Sequence, residues 1–225
     1  LLGCIPQCGF SVAAANLYAG RVITLGTLAA VFLSTSDEAV PLLLGAPEQA
    51  GVLLPLLGFK VALGALAGMV IDWALRGRPA PKEGIHDLCE NCGCEEGNVL
   101  SSALRHTGSI FLFILAVNLL LGWGVTVLGE ERLSALLLSQ SLLQPLAAAL
   151  LGLIPNCAAS VLLTRLYLAG TVSFGSLAAG LSAASGVGLM VLFRANPRPR
   201  ENLAIAALIW AIGAGAGVLL QLFLG

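Results

Sequence analysis

Two short strings carry polar atoms suited to ion chemistry: Ile5-Pro6-Gln7-Cys8 followed by Ser11, and Ile154-Pro155-Asn156-Cys157 followed by Ser160. Each places a proline, an amide and a thiol close together within apolar sequence. Proline removes a backbone donor and clashes with the preceding turn, so it breaks a helix. Broken backbone at membrane depth persists only where protein or water satisfies it. The freed carbonyls, with Gln7 or Asn156 and the thiols of Cys8 and Cys157, could face a cavity. New helix N-termini would present partly positive N–H groups to it. The alternative is a kink or tight hairpin with no ligand role, and the presence of two copies favours the ligand role.

A second cluster is Ser34-Thr35-Ser36-Asp37-Glu38, where two adjacent acids interrupt an apolar stretch. A carboxylate at membrane depth costs at least ~2.5 kcal/mol on insertion scales and is usually functional. Oxygen-rich clusters suit hard divalent cations such as Mn²⁺ or Mg²⁺, or proton coupling. If the acids sit near the headgroups instead, they are merely solvated. Lys60, in GFKVALGALAG, either pairs with Asp37 or Glu38 as a charge-balanced gate or snorkels to an interface. Arg165 has the same two options. Its counterpart Asn16 could contribute an amide oxygen. A third cluster, IHDLCENCGCEEG, offers His86, Asp87, Cys89, Cys92 and Cys94. Its C-x-x-C-x-C spacing with a nearby His can close around a thiophilic metal such as Zn²⁺ or Cu⁺. The loop reads as a regulatory or delivery site, against a flexible linker that binds metal incidentally. In a cytoplasmic loop these thiols stay reduced.

The elements that must position these residues are membrane helices. The chain is 58% hydrophobic and only 10% charged, with a mean hydropathy of +0.95. A soluble domain carries about 25% charged residues. A net charge of −1 gives no reason to expect a nucleic-acid partner. A spanning helix needs roughly 20 mostly apolar residues. Eight segments qualify, near 1–20, 22–44, 51–75, 103–128, 133–153, 155–170, 172–193 and 202–224. Gln140, Gln144 and Pro145 interrupt the fifth. Leu1–Gly20 lacks a charged leader and a cleavage site, so it is not read as a signal peptide. Lys and Arg favour the cytoplasmic side. Arg76, Arg78 and Lys82, and again Arg194, Arg198 and Arg200, mark loops 77–102 and 194–201 as cytoplasmic, with Arg21 on the same side. Glu48, Glu130 and Glu131 then fall outside. Trp73 and Trp210 lie toward segment ends, where amphipathic rings favour the interface.

The chain also repeats itself. Residues 3–36 and 152–185 align without a gap, and Pro6, Cys8, Ser11, Tyr18 and Ser36 recur in register as Pro155, Cys157, Ser160, Tyr167 and Ser185. Shared apolar composition does not supply such matches. Ser185, Gly186 and Val187 stand opposite Ser36, Asp37 and Glu38, so acid comes from one half only. The second copy is preceded by two segments and followed by one, a five-segment unit. Repeat logic predicts two further helices, roughly fifty residues, ahead of Leu1, giving 5 + 5 spans. An odd number of crossings per unit inverts one half relative to the other.

The strings GCIPQCGFSVAAANLYAG, LAAVFLSTSDE, IHDLC and GLIPNCAAS together resemble the ten-helix heavy-metal exporters, a family described variously as arsenic efflux proteins or manganese transporters. The resemblance covers nearly the whole chain. It implies ten helices in the family's complete members and export of a metal or metalloid.

The sequence therefore predicts an all-α, polytopic integral membrane protein with an inverted internal repeat. Residues 1–76 would be the last three spans of the first repeat, 77–102 a cytoplasmic Cys/His-rich loop, and 103–225 the second repeat. The expected activity is secondary export of Mn²⁺, another divalent cation or arsenite by alternating access. Gln7, Cys8, Ser11, Asn16, Ser34, Ser36, Asp37, Glu38, Asn156, Cys157 and Ser160 would contact the ion. A proton or another ion would be coupled, and the lipid bilayer would surround the spans, in a bacterial inner membrane. The competing expectation is a membrane-anchored metal sensor or scaffold working through loop 86–94. No Walker-type loop, H-E-x-x-H or G-x-S-x-G string occurs, so the chain itself carries no sign of an ATP motor or a hydrolase. No cofactor is expected beyond a metal on that loop.

Overall fold

The computed structural model describes residues 9–35, 39–46, 51–76 and 143–224, together with eight helical positions between 108 and 123. Among the described residues the chain is helical and contains no strand. The helices are α1 (Gly9–Ala19), α2 (Leu25–Ser34), α3 (Ala39–Leu44), α4 (Leu53–Leu75), α5 (Gln144–Gly152), α6 (Cys157–Leu168), α7 (Phe174–Ala183), α8 (Val187–Ala195) and α9 (Pro199–Leu224). Among the described residues, four stretches are long and apolar enough to cross a membrane: Leu25–Leu44, Leu53–Leu75, Phe174–Ala195 and Pro199–Phe223.

The packing pattern is that of a protein solvated by lipid. In α4 the buried residues are Leu56, Lys60, Gly64 and Gly68, one narrow stripe at helical spacing. The rest of the helix turns Leu54, Leu66, Met69, Val70 and Trp73 outward. Apart from Leu56, small and polar residues face the protein while large apolar ones face away, the reverse of a water-soluble helix. The small residues let backbones touch. A Cβ added to Gly64 would lie 2.8 Å from the Ala30 carbonyl oxygen of α2, and one on Gly68 would lie 2.7 Å from that of Gly26. The same seam joins α7 to α9. A Cβ on Gly213 would meet the Ala179 oxygen at 3.1 Å, and one on Gly217 the Gly175 oxygen at 2.6 Å.

These paired contacts recur at one spacing, 149 residues (25 to 174), which carries α2 onto α7 end for end. The turn before each helix recurs too. Val22 N–H donates to Leu17 O and Arg21 N–H to Tyr18 O, and Thr171 and Gly170 do the same toward Leu166 and Tyr167. This is the αL helix stop in which the first residue beyond the cap takes positive φ. Gly170 does so at φ 73, and Arg21, unusually for a side-chain-bearing residue, at φ 57. Thr24 and Ser173 then cap the next helix, accepting from Thr27 N–H and Ser176 N–H.

The two apolar spans that begin at Leu25 and Phe174 are both interrupted. The chain leaves α2 at Thr35 with extended backbone (φ −61, ψ 130). It leaves α7 at Ala184 and re-enters α8 through Gly186 (φ 55, ψ −147), a conformation glycine adopts far more cheaply than other residues. Segments 22–44 and 172–193, expected as single helices, are thus each a pair of half-helices. Pro155 lies in the short link between α5 and α6, so its break separates two helices. Segment 155–170 accordingly becomes helical only at Cys157.

Among the described residues, two large apolar clusters fill the interior beside a small one of Ala149, Ala179, Ala183 and Ala214. One gathers α1, α2, α8 and α9 through Ala15, Tyr18, Leu28, Phe32, Leu192, Ile205 and Ile209. The other gathers α3, α4, α5, α6 and α7 through Leu43, Leu56, Leu151, Leu163, Leu177 and Leu181. Leu28, Phe32, Leu192 and Ile205 in the first stand at the repeat spacing from Leu177, Leu181, Leu43 and Leu56 in the second. The halves also exchange elements: α1 packs on α8, and α3 packs on α6.

Candidate functional site

The boundary between the two clusters is polar. Ser34, Thr35, Lys60, Ser182 and Ser185 are all buried there, on or beside the two helix breaks. Lys60 is 1% exposed. Its ammonium donates to the carbonyl oxygen of Thr35 and, at 2.6 Å, to that of Leu181. One side chain on α4 therefore touches the broken end of α2 and the broken end of α7. The reason these carbonyls accept it is local. Ala184 N–H bonds Gly180 O and Ser185 N–H bonds Ala183 O. The register skips Leu181 O, one of the end carbonyls that a helix leaves without an internal partner. A lysine at the centre of a spanning helix costs roughly 2.5–3.5 kcal/mol on insertion scales. Two carbonyls at helix C-termini, each end carrying about half a negative charge, offset part of that. The snorkelling geometry open to Lys60 in the sequence is not adopted.

The hydroxyls at the breaks bond mostly to backbone. Ser34 Oγ donates to Val31 O at 3.2 Å and Thr35 Oγ1 to the same oxygen at 2.7 Å. Ser182 Oγ is buried with no hydrogen-bond partner among the described residues. Ser36, Asp37 and Glu38, the remainder of this cluster, lie outside the described residues.

The motif residues take separate positions. Asn156 caps α6, its side-chain oxygen accepting from Ala158 N–H at 3.0 Å, and Cys157 opens that helix half-buried. Ser160 is buried, and its carbonyl accepts from Thr164 Oγ1. Ser11 is fully buried under Gly188 of α8, where an added Cβ would come within 2.7 Å of the serine Cβ. Asn16 spends its amide nitrogen on Val12 O, within its own helix. Arg165 is exposed in the last turn of α6, where a cation complements the helix dipole. Gln7, Cys8 and the loop residues His86, Asp87, Cys89, Cys92 and Cys94 lie outside the described residues. Among the described residues, no three His, Cys, Asp or Glu side chains are grouped to hold a metal.

Two polar clusters absent from the sequence expectation pin the helix ends. At one end, Arg21 forms a two-point ion pair with Glu201 at the start of α9, at 2.7 and 3.0 Å. The Tyr18 hydroxyl donates to the same carboxylate, and the guanidinium lies 5.2 Å from the tyrosine ring centre. The hydrogen bonds to Glu201 hold the Arg21 pKa above its already high ordinary value, against the opposing effect of burial. Beside it, Asp72 near the end of α4 accepts from Thr24 Oγ1 and Gly26 N–H. At the other end, buried Gln144 donates to Thr171 O and accepts from Ser173 N–H and Ser176 Oγ. The signal for the first cluster was Arg21 itself, a lone cation between two apolar runs. Glu201, which follows Arg198 and Arg200, carried no comparable signal.

A bundle of long apolar helices with large apolar side chains facing outward defines the class as a helical integral membrane protein. A family model described as "Putative, 10TM heavy-metal exporter" matches residues 109–224, and the chain belongs to this family. The match takes in Asn156, Cys157, Ser160, Arg165 and the break at 184–186. No curated protein and no solved structure matches the chain.

Proposed function

We propose that the protein exports a metal ion or metalloid by alternating access between two halves related as an inverted repeat, with the ion passing the paired helix breaks. The observation that carries this is the pair of breaks at Thr35 and Ala184, at equivalent places in the two halves and joined through Lys60. Discontinuous helices at a repeat interface are where secondary transporters bind their substrates and coupling ions. The inversion is supported by the ends of the long helices. The C-terminal end of α4 bonds the start of α2 through Asp72, and the start of α9 meets the same turn through Arg21–Glu201. Repeat mates α4 and α9 thus run in opposite directions. Arg21, Arg76, Arg194 and Arg198 gather toward that end, which supports a cytoplasmic assignment for it.

Asp37 and Glu38 follow directly on the first break in sequence, and they are the groups that would bind a divalent cation or carry a coupling proton. Cys8 and Cys157 would matter instead for arsenite, since trivalent arsenic prefers sulfur. Loop 86–94 would hold a regulatory thiophilic metal. The test is flux of Mn²⁺, Zn²⁺ and arsenite into sealed vesicles carrying the protein. Asp37→Asn with Glu38→Gln should abolish transport of a divalent cation, and Cys8→Ser with Cys157→Ser should leave it intact. The opposite pattern would make the thiols the ligands. No flux of any of the three would remove the transporter reading.

A further inference from the structure

We propose that the Lys60 ammonium is a tethered substitute for a bound monovalent cation, filling a coordination point made by backbone oxygens of the two helix breaks. The protein then holds its broken helices together without recruiting Na⁺ or K⁺ from solution.

Three observations carry this. The first is the donor set. Thr35 O and Leu181 O are carbonyls at the C-terminal ends of half-helices. Unwound carbonyls and half-helix C-termini are the groups with which discontinuous membrane helices coordinate Na⁺ or H⁺. Leu181 O accepts from the ammonium at 2.6 Å, a short charge-assisted hydrogen bond. The second is reach. Lys60 comes from a third element, α4, and spans both breaks, so one charge serves a junction that neither half closes alone. The third is the repeat. The residue at the repeat spacing from Lys60 is Ile209, fully buried in the apolar cluster of the other half. A single cation shared by two breaks needs only one lysine.

The test reads stability, so it does not depend on which ion the protein exports. Thermal unfolding of the purified protein would be followed by tryptophan fluorescence in choline chloride, NaCl and KCl at equal ionic strength. Wild type should melt at the same temperature in all three. Lys60→Ala should melt lower in choline, and n-propylammonium, which replaces the deleted atoms, should restore it by roughly 2–4 °C or more. Na⁺ or K⁺ should restore it as well, while the neutral analogue n-propanol should not. Lys60→Met, which keeps the length without the charge, serves the same comparison if the alanine variant fails to fold. Two results would overturn the proposal. One is a wild type stabilised by Na⁺ or K⁺ over choline. The other is a charge-free variant whose melting is indifferent to every cation.

Discussion

Lys60 and Arg21 are both cations withdrawn from water, and the chain handles them differently. Lys60 donates to two backbone carbonyls, and Ile209 stands at its place in the other half. Arg21 is held by a carboxylate, a tyrosine hydroxyl donating to that carboxylate, and the tyrosine ring. Its side chain is 8% exposed against 26% for Glu201, so screening by solvent is partial and the pair is coupled through geometry. Arg21→Gln and Glu201→Gln should each destabilise the protein. The double variant should lose less than the sum, with a coupling of about 1–3 kcal/mol. Unfolding of all four proteins in mixed micelles measures this, and strict additivity would show the pair contributes nothing. The positive φ of Arg21 costs about 1 kcal/mol or more where Gly170 costs little. The ion pair to α9 is the compensation that the second half does not need.

At the scale of the elements, the glycine seams fix how the helices sit. Gly152 touches the backbone of Gly180 on α7, and an added Cβ there has nowhere to go. Gly152→Ala should cost about 1–3 kcal/mol, the usual range for overpacking, or more, because the obstacle is a carbonyl. Gly9→Ala, with no described atom within 4 Å of the added Cβ, should be neutral or better. Comparing their expression and melting temperatures checks both. The helices themselves were legible in the sequence, since lipid demands long apolar runs with charges confined to the links. The breaks inside α2–α3 and α7–α8 were not. Neither break contains a proline, and Ala, Ser and Gly at 182–188 are as apolar on average as a helix. The prolines that did suggest a break mark, at Pro155, a link between helices. A trace of the breaks was present all the same, because the gapless repeat ran to Ser36 and Ser185, where both half-helices have just ended.

For the whole molecule, the repeat spacing organises everything from caps to clusters, and it makes sidedness testable. In a cysteine-free background, cysteines at Arg76 and Arg198 should react with an impermeant thiol reagent from one face of the membrane, and one at Thr171 from the other. Labelling of all three from one face would exclude opposed halves. The sequence contained this symmetry in its Pro, Cys, Ser and Tyr matches, because identical side chains in register survive duplication. It did not reveal which atoms meet at the centre. Lys60 was visible as an unusual charge, but Thr35 and Leu181 meet it through backbone oxygens, and a carbonyl has no letter in the sequence.

The exchange of α1 onto α8 has a bearing on how the protein is made. Ser11 lies against Gly188, and nearly the whole described chain separates them. At about 5–20 residues per second of synthesis, α1 waits roughly 10–35 s in the bilayer before its partner emerges from the ribosome. Through that interval the Ser11 side of α1 lacks the α8 partner that covers it in the finished fold, and the unfinished chain is exposed to the cell's membrane proteases. Substitutions at Gly188 should therefore show themselves first as missing protein, detected by pulse-chase, before any effect on flux can be read.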